Sequence, residues 1–307
     1  MIRIGTRGSD LALVQARFVA ERIRTRYPGT AVEIVPIKTR GDRMQNVSLV
    51  QIGGKGVFVK EIEDALLGHE IDIAVHSMKD VPVELPGGLI IDAIPEREDP
   101  RDVLVSRDMR KLEELPKGAR IGTGSLRRRM QLLNFLPDIV IVPLRGNLGT
   151  RIRKIDLEGL DGIITAAAGM RRMERAREVS QYIPVEIMLP SAGQGVLGVE
   201  VREDNDRVRE MIAFMNHAET VVTVSAERAF LKGLGGGCQV PIACLGRKQG
   251  ETLILRGLVG NTTGKIIIAD EVRGPCSDWE DLGSSLAEGI LSRGGKAVLD
   301  SVYGELC

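Results

Sequence analysis

Short apolar runs alternate with amphipathic stretches through the first two-thirds of the chain. This alternation predicts an α/β sheet with crossover helices, so parallel strands are expected. Residues 2–5 form the first predicted strand, and a helix follows in which Leu11, Val14 and Phe18 lie on one face. Ser9 precedes this helix and has a side chain suited to the N-cap position.

The next predicted strands fall into two similar groups. The first group adds strands at 32–38 and 71–76, and a second α/β group starts after residues 98–101. Its strands are predicted at 120–123, 139–143 and 162–167, each followed by a turn with Gly or Ser and a basic helix start. A further strand at 196–201 is predicted to return to the first group.

The last third of the chain changes character. A helix is predicted at about 219–234, with Gly233 or Gly235 as its C-cap. Strands at 252–259 and 265–269 follow, joined by a hairpin turn at 261–264. This pattern predicts a small C-terminal α+β domain, and a length of 307 residues favours two or three domains in all.

Composition excludes several classes of function. Lys plus Arg and Asp plus Glu each total 42, so the net charge is zero and neither nucleic acid nor a membrane surface is expected as a partner. The four cysteines have no C-x-x-C spacing and there are only three histidines, so neither a metal site nor a disulfide framework is expected. The N-terminus reads as a strand, and no apolar run could span a bilayer. We therefore expect a cytoplasmic protein with free thiols.

Arginines concentrate at the turns that follow the predicted strands. In open α/β sheets the carboxyl ends of the strands line the ligand crevice, where helix N-termini add N–H donors. A single arginine is more often a solvated surface charge, but several at equivalent positions predict a ligand with several carboxylates or phosphates. The clustered arginines are Arg7, Arg127, Arg128, Arg129, Arg145, Arg151, Arg171 and Arg172.

Two further side chains are candidates for chemistry. Cys238 lies within Gly-Gly-Gly-Cys-Gln-Val-Pro at 235–241, where it is either a small buried hydrophobe or a thiol that holds a bulky group covalently. Asp80 follows the strand at 71–76 and is either a turn residue or a carboxylate that assists loss of an amine and stabilises a cation. A Cys–His hydrolase is the competing interpretation of the thiol. It is weakened because His76 lies inside an apolar strand, where a core histidine is expected, and no general base is evident.

Besides 235–241, the chain contains the motifs His-Ser-Met-Lys-Asp-Val-Pro at 76–82, Gly-Thr-Gly-Ser-Leu-Arg-Arg at 122–128, Leu-Arg-Gly-Asn at 144–147 and Ala-Gly-Gln-Gly at 192–195. Together, in order along nearly the whole chain, these motifs closely resemble the porphobilinogen deaminase family, also called hydroxymethylbilane synthase. The resemblance implies two lobes like type 2 periplasmic binding proteins and a small α+β domain that carries a cofactor. The implied boundaries are 1–96 with 196–214, then 100–190, then 218–307.

The resemblance also implies an activity. Members of the family condense four porphobilinogen molecules head to tail, release ammonia each time, and free hydroxymethylbilane by hydrolysis. The chain grows on a dipyrromethane primer, which the resemblance attaches to Cys238 through a thioether. Each pyrrole ring carries an acetate and a propionate, which matches the clustered arginines. A monomer is expected.

The same resemblance gives roles to individual residues. Asp80 is implied to contact the pyrrole nitrogens, assist loss of the aminomethyl nitrogen and stabilise the resulting cation. Lys79, Asp80, Ser125, Arg127, Arg128 and Arg151 are the expected cofactor contacts. The expected substrate contacts are Arg7, Ser9, Arg145, Arg151, Arg172 and Gln194. A lid with Lys55 and Phe58 is expected to cover the crevice, although by composition alone the segment 41–56 is equally a plain surface loop.

Two positions depart from the family's usual pattern. Gln51 stands where a lysine is frequent, and Gly124 stands where a serine is common. Both departures affect details of the lid and of the primer contacts. The alternative from another class is a bilobal receptor that binds polyanions without catalysis, although a receptor has no use for a thiol in a triple-glycine loop.

Overall fold

The computed structural model of the chain describes residues 1–43, 59–236 and 240–306. The predicted sites Cys238, Lys55 and Phe58, and the departure Gln51, lie outside the described residues. The strands in chain order are β1 (Ile2–Arg7), β2 (Val32–Ile37), β3 (Ile73–Ser77), β4 (Leu89–Ala93), β5 (Asp102–Ser106), β6 (Arg120–Gly122), β7 (Val140–Val142), β8 (Gly162–Ala166), β9 (Gln181–Tyr182), β10 (Leu197–Arg202), β11 (Ile242–Gln249), β12 (Thr252–Gly260) and β13 (Ile267–Pro275). The helices are α1 (Asp10–Arg26), α2 (Arg40–Arg43), α3 (Lys60–Leu67), α4 (Leu126–Phe135), α5 (Leu148–Leu157), α6 (Ala167–Arg172), α7 (Asp206–Ile212), α8 (Ala218–Gly233), α9 (Trp279–Ile290) and α10 (Lys296–Leu306).

Two five-stranded sheets have equivalent strand orders. The first is β2-β1-β3-β10-β4 and the second is β7-β6-β8-β5-β9. In each sheet the first three strands are parallel, and the fourth, β10 or β5, runs antiparallel to both neighbours. The expectation of parallel strands is therefore wrong for β10, and β5, which was not predicted as a strand, is antiparallel as well. These are the first strands after the chain leaves one sheet for the other, so they enter without the crossover helix that makes neighbours parallel.

The C-terminal sheet is an antiparallel meander of β11, β12 and β13. Its apolar face packs with α8, α9 and α10 around Phe230, which is fully buried among side chains such as Leu255 and Leu286. The predicted hairpin turn lies between β12 and β13, and Gly264 has the positive φ of 72° that such a turn requires. The predicted fold class, with two α/β lobes and a small C-terminal α+β part, is confirmed.

The chain divides into two compact units. One contains Met1–Glu98 with Val196–Val221, and the other contains Asp99–Gly195 with Val222–Cys307. Strand β10 belongs to the first unit because it hydrogen-bonds between β3 and β4. The C-terminal sheet belongs to the same compact unit as the second lobe, and the three predicted domain boundaries stay a prediction.

Helix α1 buries a different face from the predicted one. Phe18 is 44% exposed, with the guanidinium of Arg22 5.8 Å from its ring centroid. The buried face instead contains Ala16, Val19 and Ile23, which pack on the sheet with Ile4 and Val75. Small side chains at this face let the helix approach the sheet closely, so the larger Phe18 points away from it.

Helix α8 ends in the manner that a C-cap glycine permits. Gly235 N donates to Lys232 O at 3.0 Å and Gly236 N donates to Leu231 O at 2.8 Å, which is the Schellman pattern. Gly235 has φ of 83°, so it, rather than Gly233, is the capping glycine. The helix therefore ends two residues before the segment that contains Cys238.

Candidate active site

A pocket lies at the carboxyl ends of β1 and β3 in the first lobe. Arg7 ends β1, and the hydroxyl of Ser9 accepts a hydrogen bond from Ala12 N at 3.4 Å, which confirms Ser9 as the N-cap of α1. The helix N-terminus adds a positive dipole end beside the arginine, so this end of the lobe favours anions. The polar side chains that line the pocket are Arg7, Ser9, Gln15, His76, Ser77 and Asp80.

Asp80 lies on a short 3₁₀ turn, Met78–Asp80, directly after β3. The buried side chain of Met78 anchors this turn, and Met78 N donates to Val196 O at 2.9 Å. Asp80 itself is exposed at the pocket. A carboxylate held on a fixed turn beside Arg7 can oppose a cation that develops in the pocket.

Beneath the pocket lies a buried group of titratable side chains on β3, β10 and α3. His76 Nε2 and Glu200 Oε2 are 2.7 Å apart, and both side chains are at most 4% exposed. Glu63 on α3 is also buried, and burial together with the charge of Glu200 raises its pKa to about 7 despite the opposing effect of His76. On the other face of β3, Gln15 Nε2 donates to the Ser77 hydroxyl at 2.9 Å.

In the second lobe, Arg127 and Arg128 share one carboxylate. Arg127 Nη1 lies 2.7 Å from Asp102 Oδ2, and Arg128 Nε and Nη2 lie 2.9 and 2.8 Å from Oδ1. Burial alone would raise the pKa of Asp102, but the two guanidinium groups lower it to about 2. The arginines also donate to backbone carbonyls, of Leu189 and of Ile164. Two cations and one anion leave a net positive charge at the start of α4.

The other predicted residues of the second lobe lie on the helices that follow β6, β7 and β8, or directly before them. Ser125 caps α4 by accepting from Arg128 N at 3.4 Å. Arg145 precedes α5, and Arg151 Nε donates to Gly146 O at 2.8 Å. Arg172 at the end of α6 donates to Gly195 O at 2.7 Å. These contacts hold the Ser125 hydroxyl and the guanidinium groups of Arg151 and Arg172 on segments that follow β6, β7 and β8.

Gln194 joins the network around Asp102. Its Nε2 donates to Asp102 Oδ1 at 3.1 Å and to Pro100 O at 2.7 Å, and the side chain is fully buried. The neighbouring Gly193 N donates to Glu227 Oε2 at 2.7 Å, and Glu227 Oε1 accepts from Gly246 N at 2.8 Å. Glu227 on α8 thus connects the 192–195 loop to β11 of the C-terminal sheet.

Gly124 has a structural reason to be glycine. A Cβ at this position would lie 2.6 Å from the carbonyl oxygen of Leu144, which is a backbone atom that cannot move aside cheaply. The serine that is common in the family at this position therefore requires a local shift of the chain here.

The structure thus brings the predicted residues together in two groups within separate lobes. Arg7, Ser9 and Asp80 line the first-lobe pocket, while Arg127, Arg128 and Gln194 meet at Asp102. The side chain of Lys79 is half-buried beside Asp80. Sequence reasoning missed Gln15, Asp102, Glu200 and Glu227. Asp102 follows the acidic and basic run at 98–101, and its own charge within the apolar strand β5 was the available signal.

Within the described residues, no group of three or more His, Cys, Asp or Glu side chains could hold a metal ion. No described helix is both long enough and apolar enough to cross a membrane.

Comparison with known families decides the assignment. The sequence model "Porphobilinogen deaminase, dipyromethane cofactor binding domain" matches residues 2–210, and "Porphobilinogen deaminase, C-terminal domain" matches residues 221–292. The chain belongs to the porphobilinogen deaminase family. Family membership supports the enzyme interpretation of the sequence and not the receptor alternative.

Curated relatives agree with the family models. The porphobilinogen deaminase of Syntrophus aciditrophicus is 53% identical over 299 residues, which cover 97% of this chain and 98% of the relative. The porphobilinogen deaminase of Geobacter metallireducens is 53% identical over 302 residues, which cover 98% of this chain and 95% of the relative. The similarity therefore includes both lobes and the C-terminal part.

Solved structures show a more distant similarity. The alignment with the aliphatic sulphonate binding protein SsuA of Escherichia coli covers 75% of this chain and 69% of the SsuA chain, at 15% identity and a TM-score of 0.40. The alignment with the VFT2 domain of Bordetella pertussis BvgS covers 74% of this chain and 92% of that domain, at 10% identity and a TM-score of 0.41. The fold assignment depends on the strand topology above and not on these alignments.

Proposed function

We propose that the protein condenses four porphobilinogen molecules head to tail, releases four ammonia molecules and frees linear hydroxymethylbilane by hydrolysis. It is a transferase of tetrapyrrole biosynthesis. The observation that carries the proposal is the family match over almost the whole chain, at 53% identity to a relative named for this activity. The monomeric state and the cytoplasmic location stay predictions from the sequence.

Asp80 is the proposed catalytic carboxylate. Loss of ammonia from the aminomethyl group of porphobilinogen leaves a cation delocalised over the pyrrole ring and its nitrogen. A carboxylate that accepts the pyrrole N–H stabilises this charge more strongly in the transition state than in the neutral substrate, which is the condition for faster chemistry. The fixed turn Met78–Asp80 and the pocket beside it supply the required position.

Arginines and helix N-termini are proposed to bind the acetate and propionate groups. Arg7 and Ser9 serve this role in the first lobe, and Arg145, Arg151 and Arg172 serve it in the second, with Gln194 and Lys79 as further polar contacts. Arginines occupy the first turn of α4, where their positive charge is repelled by the positive end of the helix dipole and lowers the stability of the helix. The need to bind anions at this helix start accounts for this unfavourable placement.

The cofactor-binding family model raises the question of which residues hold the dipyrromethane group. The chemistry of the donor set fits its carboxylates, because Arg127 and Arg128 exceed the charge of Asp102 by one at the capped start of α4. We propose that Ser125, Arg127, Arg128 and Arg151 bind these carboxylates, that Lys79 and Asp80 contact the rings, and that Cys238 forms the thioether. When bound, the group supplies the carbon nucleophile on which the product is built. Lys55 and Phe58 are proposed as lid residues.

Intact-mass measurement and turnover test the proposal together. The purified protein should be heavier than its sequence by two linked pyrrole units, and Cys238→Ser should remove that increment. Asp80→Asn should keep the increment but lose nearly all porphobilinogen consumption. A protein without the increment that still forms hydroxymethylbilane would contradict the cofactor assignment. Failure of the wild-type protein to consume porphobilinogen would contradict the activity itself.

A further inference from the structure

The buried pair His76–Glu200 has no role in the function described so far. His76 is near the end of β3 and 5% exposed, yet it lines the same pocket as Asp80. Glu200 on β10 is fully buried. In the antiparallel pairing of the two strands, His76 lies opposite Gly198 and Glu200 lies opposite Ala74, so both side chains are on one face as diagonal neighbours. Burying an ionisable pair costs free energy of folding because both groups lose their hydration, so we ask what function the pair has.

The pair fixes which imidazole nitrogen is protonated. A carboxylate only accepts hydrogen bonds, so His76 Nε2 carries the proton that is shared with Glu200 Oε2 over 2.7 Å. In neutral imidazole, Nδ1 is then an unprotonated acceptor. Among the described residues Nδ1 has no hydrogen-bond partner, and the ring belongs to the pocket wall. This arrangement of carboxylate, imidazole and open site is the one that prepares a histidine as a base.

The chemistry requires such a base. When the C–N bond of porphobilinogen breaks, its electron pair leaves with ammonia. The terminal pyrrole ring of the growing chain then attacks the resulting cation through its α-carbon and forms a C–C bond. The electron pair of that ring's α-C–H bond must return to the ring, and the proton must be accepted by a base. Asp80 is poorly suited because its charge is needed opposite the cation, and carboxylates are ordinarily weak bases.

We propose that His76, oriented by Glu200, accepts this α-proton at Nδ1 and passes it to the departing ammonia or to water. The proposal rests on the proposed function above. His76 is then a second catalytic residue, and Glu200 is a positioning residue that acts through it. Charge balances in each cycle, since ammonia leaves with the proton that the ring loses.

Other charged groups belong to the elements around the pair. Buried Glu63 on α3 interacts electrostatically with both His76 and Glu200, whereas the neighbouring Asp64 is exposed. Arg202 lies on β10 two residues beyond Glu200, and Asp80 and Arg7 share the pocket. Glu63 Oε1 and Glu200 Oε1 are both enclosed without a partner among the described residues. Ionisation of Glu63 therefore adds negative charge beside the pair.

An isotope experiment tests the proposal. Porphobilinogen that carries deuterium at its free α-carbon should be consumed by the wild-type protein with little isotope effect if proton loss is fast. In His76→Gln, kcat should fall by about 10²–10⁴-fold, and a primary isotope effect should appear because proton loss becomes rate-limiting. His69→Gln, at an exposed histidine, is the matched control and should behave as wild type.

Further measurements keep the result interpretable if His76→Gln fails to fold or to attach the primer. Glu200→Gln retains an oxygen acceptor without the charge, so it should lower kcat less and shift the pH profile. With only three histidines, ¹⁵N spectra of the resting protein should also show His76 protonated at Nε2 and bare at Nδ1. Unchanged kcat in His76→Gln, a reduced kcat without an isotope effect, an unchanged pH profile in Glu200→Gln, or the opposite tautomer would each overturn the inference. Wild-type protein that consumes no porphobilinogen would instead contradict the proposed function.

Discussion

Asp102 Oδ2 accepts a hydrogen bond from Arg127 Nη1 at 2.7 Å, and this pair lies almost entirely out of water. Arg128 uses the other carboxylate oxygen of the same residue. The two arginines of the second lobe that we propose to bind carboxylates are therefore held by a buried carboxylate, which sets their orientation before any ligand arrives. Preorganised charges of this kind bind better than flexible ones because less ordering remains to be done.

Removal of that carboxylate should be costly. We expect Asp102→Asn to lower the free energy of unfolding by about 3–5 kcal/mol, because two guanidinium groups lose their buried counter-charge. Chemical denaturation measures this change, and intact mass should show loss of the pyrrole increment. Asp138→Asn is the matched control, since Asp138 pairs with Lys117 on the exposed surface and its loss should cost at most about 0.5 kcal/mol. Equal effects of the two substitutions would contradict the role given to Asp102.

Much of the fold follows from local pattern. Eight strands, β1, β2, β3, β6, β7, β8, β10 and β12, were predicted to within about two residues because each is a short apolar run between turn residues. Strand β13 was predicted at 265–269 but extends to Pro275. Strands β4, β5, β9 and β11 were not predicted, although β5 and β11 contain apolar runs. Short runs do not reveal by themselves whether they pair, since pairing depends on partners far away in sequence.

The candidate site was predictable to different degrees. Arg7, Arg127 and Asp80 could be found because charged residues directly follow predicted strands, where topology brings them to a ligand crevice. Glu200 carries the same signal as Asp102, a charge within an apolar strand, but its partner His76 could not be inferred from the sequence. Glu227 could not be found, because a single charged residue in a helix reveals neither its burial nor its partners. Phe18 misled the prediction of the α1 face for a related reason: the sheet selects small side chains there, which carry little signal in a hydrophobicity pattern.

Glu227 should matter to stability as a link between the 192–195 loop and the C-terminal sheet. Replacement by Gln keeps one acceptor oxygen but turns the other position into a donor that faces the N–H of Gly193 or Gly246. We expect Glu227→Gln to lower the free energy of unfolding by about 1–3 kcal/mol. Glu288→Gln on the exposed side of α9 is the control and should be nearly neutral. A neutral result for both variants would show that the two hydrogen bonds contribute little.

The capping glycine of α8 should tolerate no side chain without strain. Gly235→Ala places a Cβ on a residue with φ of 83°, where no atom of the described residues lies within 4 Å but the backbone conformation disfavours L-residues. We expect a loss of about 1 kcal/mol in thermal or chemical unfolding. Gly29→Ala is the control because nothing lies near its Cβ and its φ is not positive. If Gly235→Ala is as stable as Gly29→Ala, the end of α8 does not depend on this conformation.

Glu63 should make stability depend on pH. Its pKa in the folded protein is raised to about 7, above the ordinary value of 4.5, so the unfolded chain ionises first as the pH rises. The contribution of the protonated group is fully present below about pH 4.5 and is lost once the pH has passed about 7. The free energy of unfolding should therefore decrease between pH 5 and pH 8 in the wild type, and this decrease should exceed that in Glu63→Gln by about 1–3 kcal/mol.

The exposed acid Glu288 provides the comparison for that experiment, since Glu288→Gln should leave the pH dependence of the wild type intact. Parallel stability curves for wild type and Glu63→Gln between pH 5 and pH 8 would contradict the raised pKa of the buried carboxyl group.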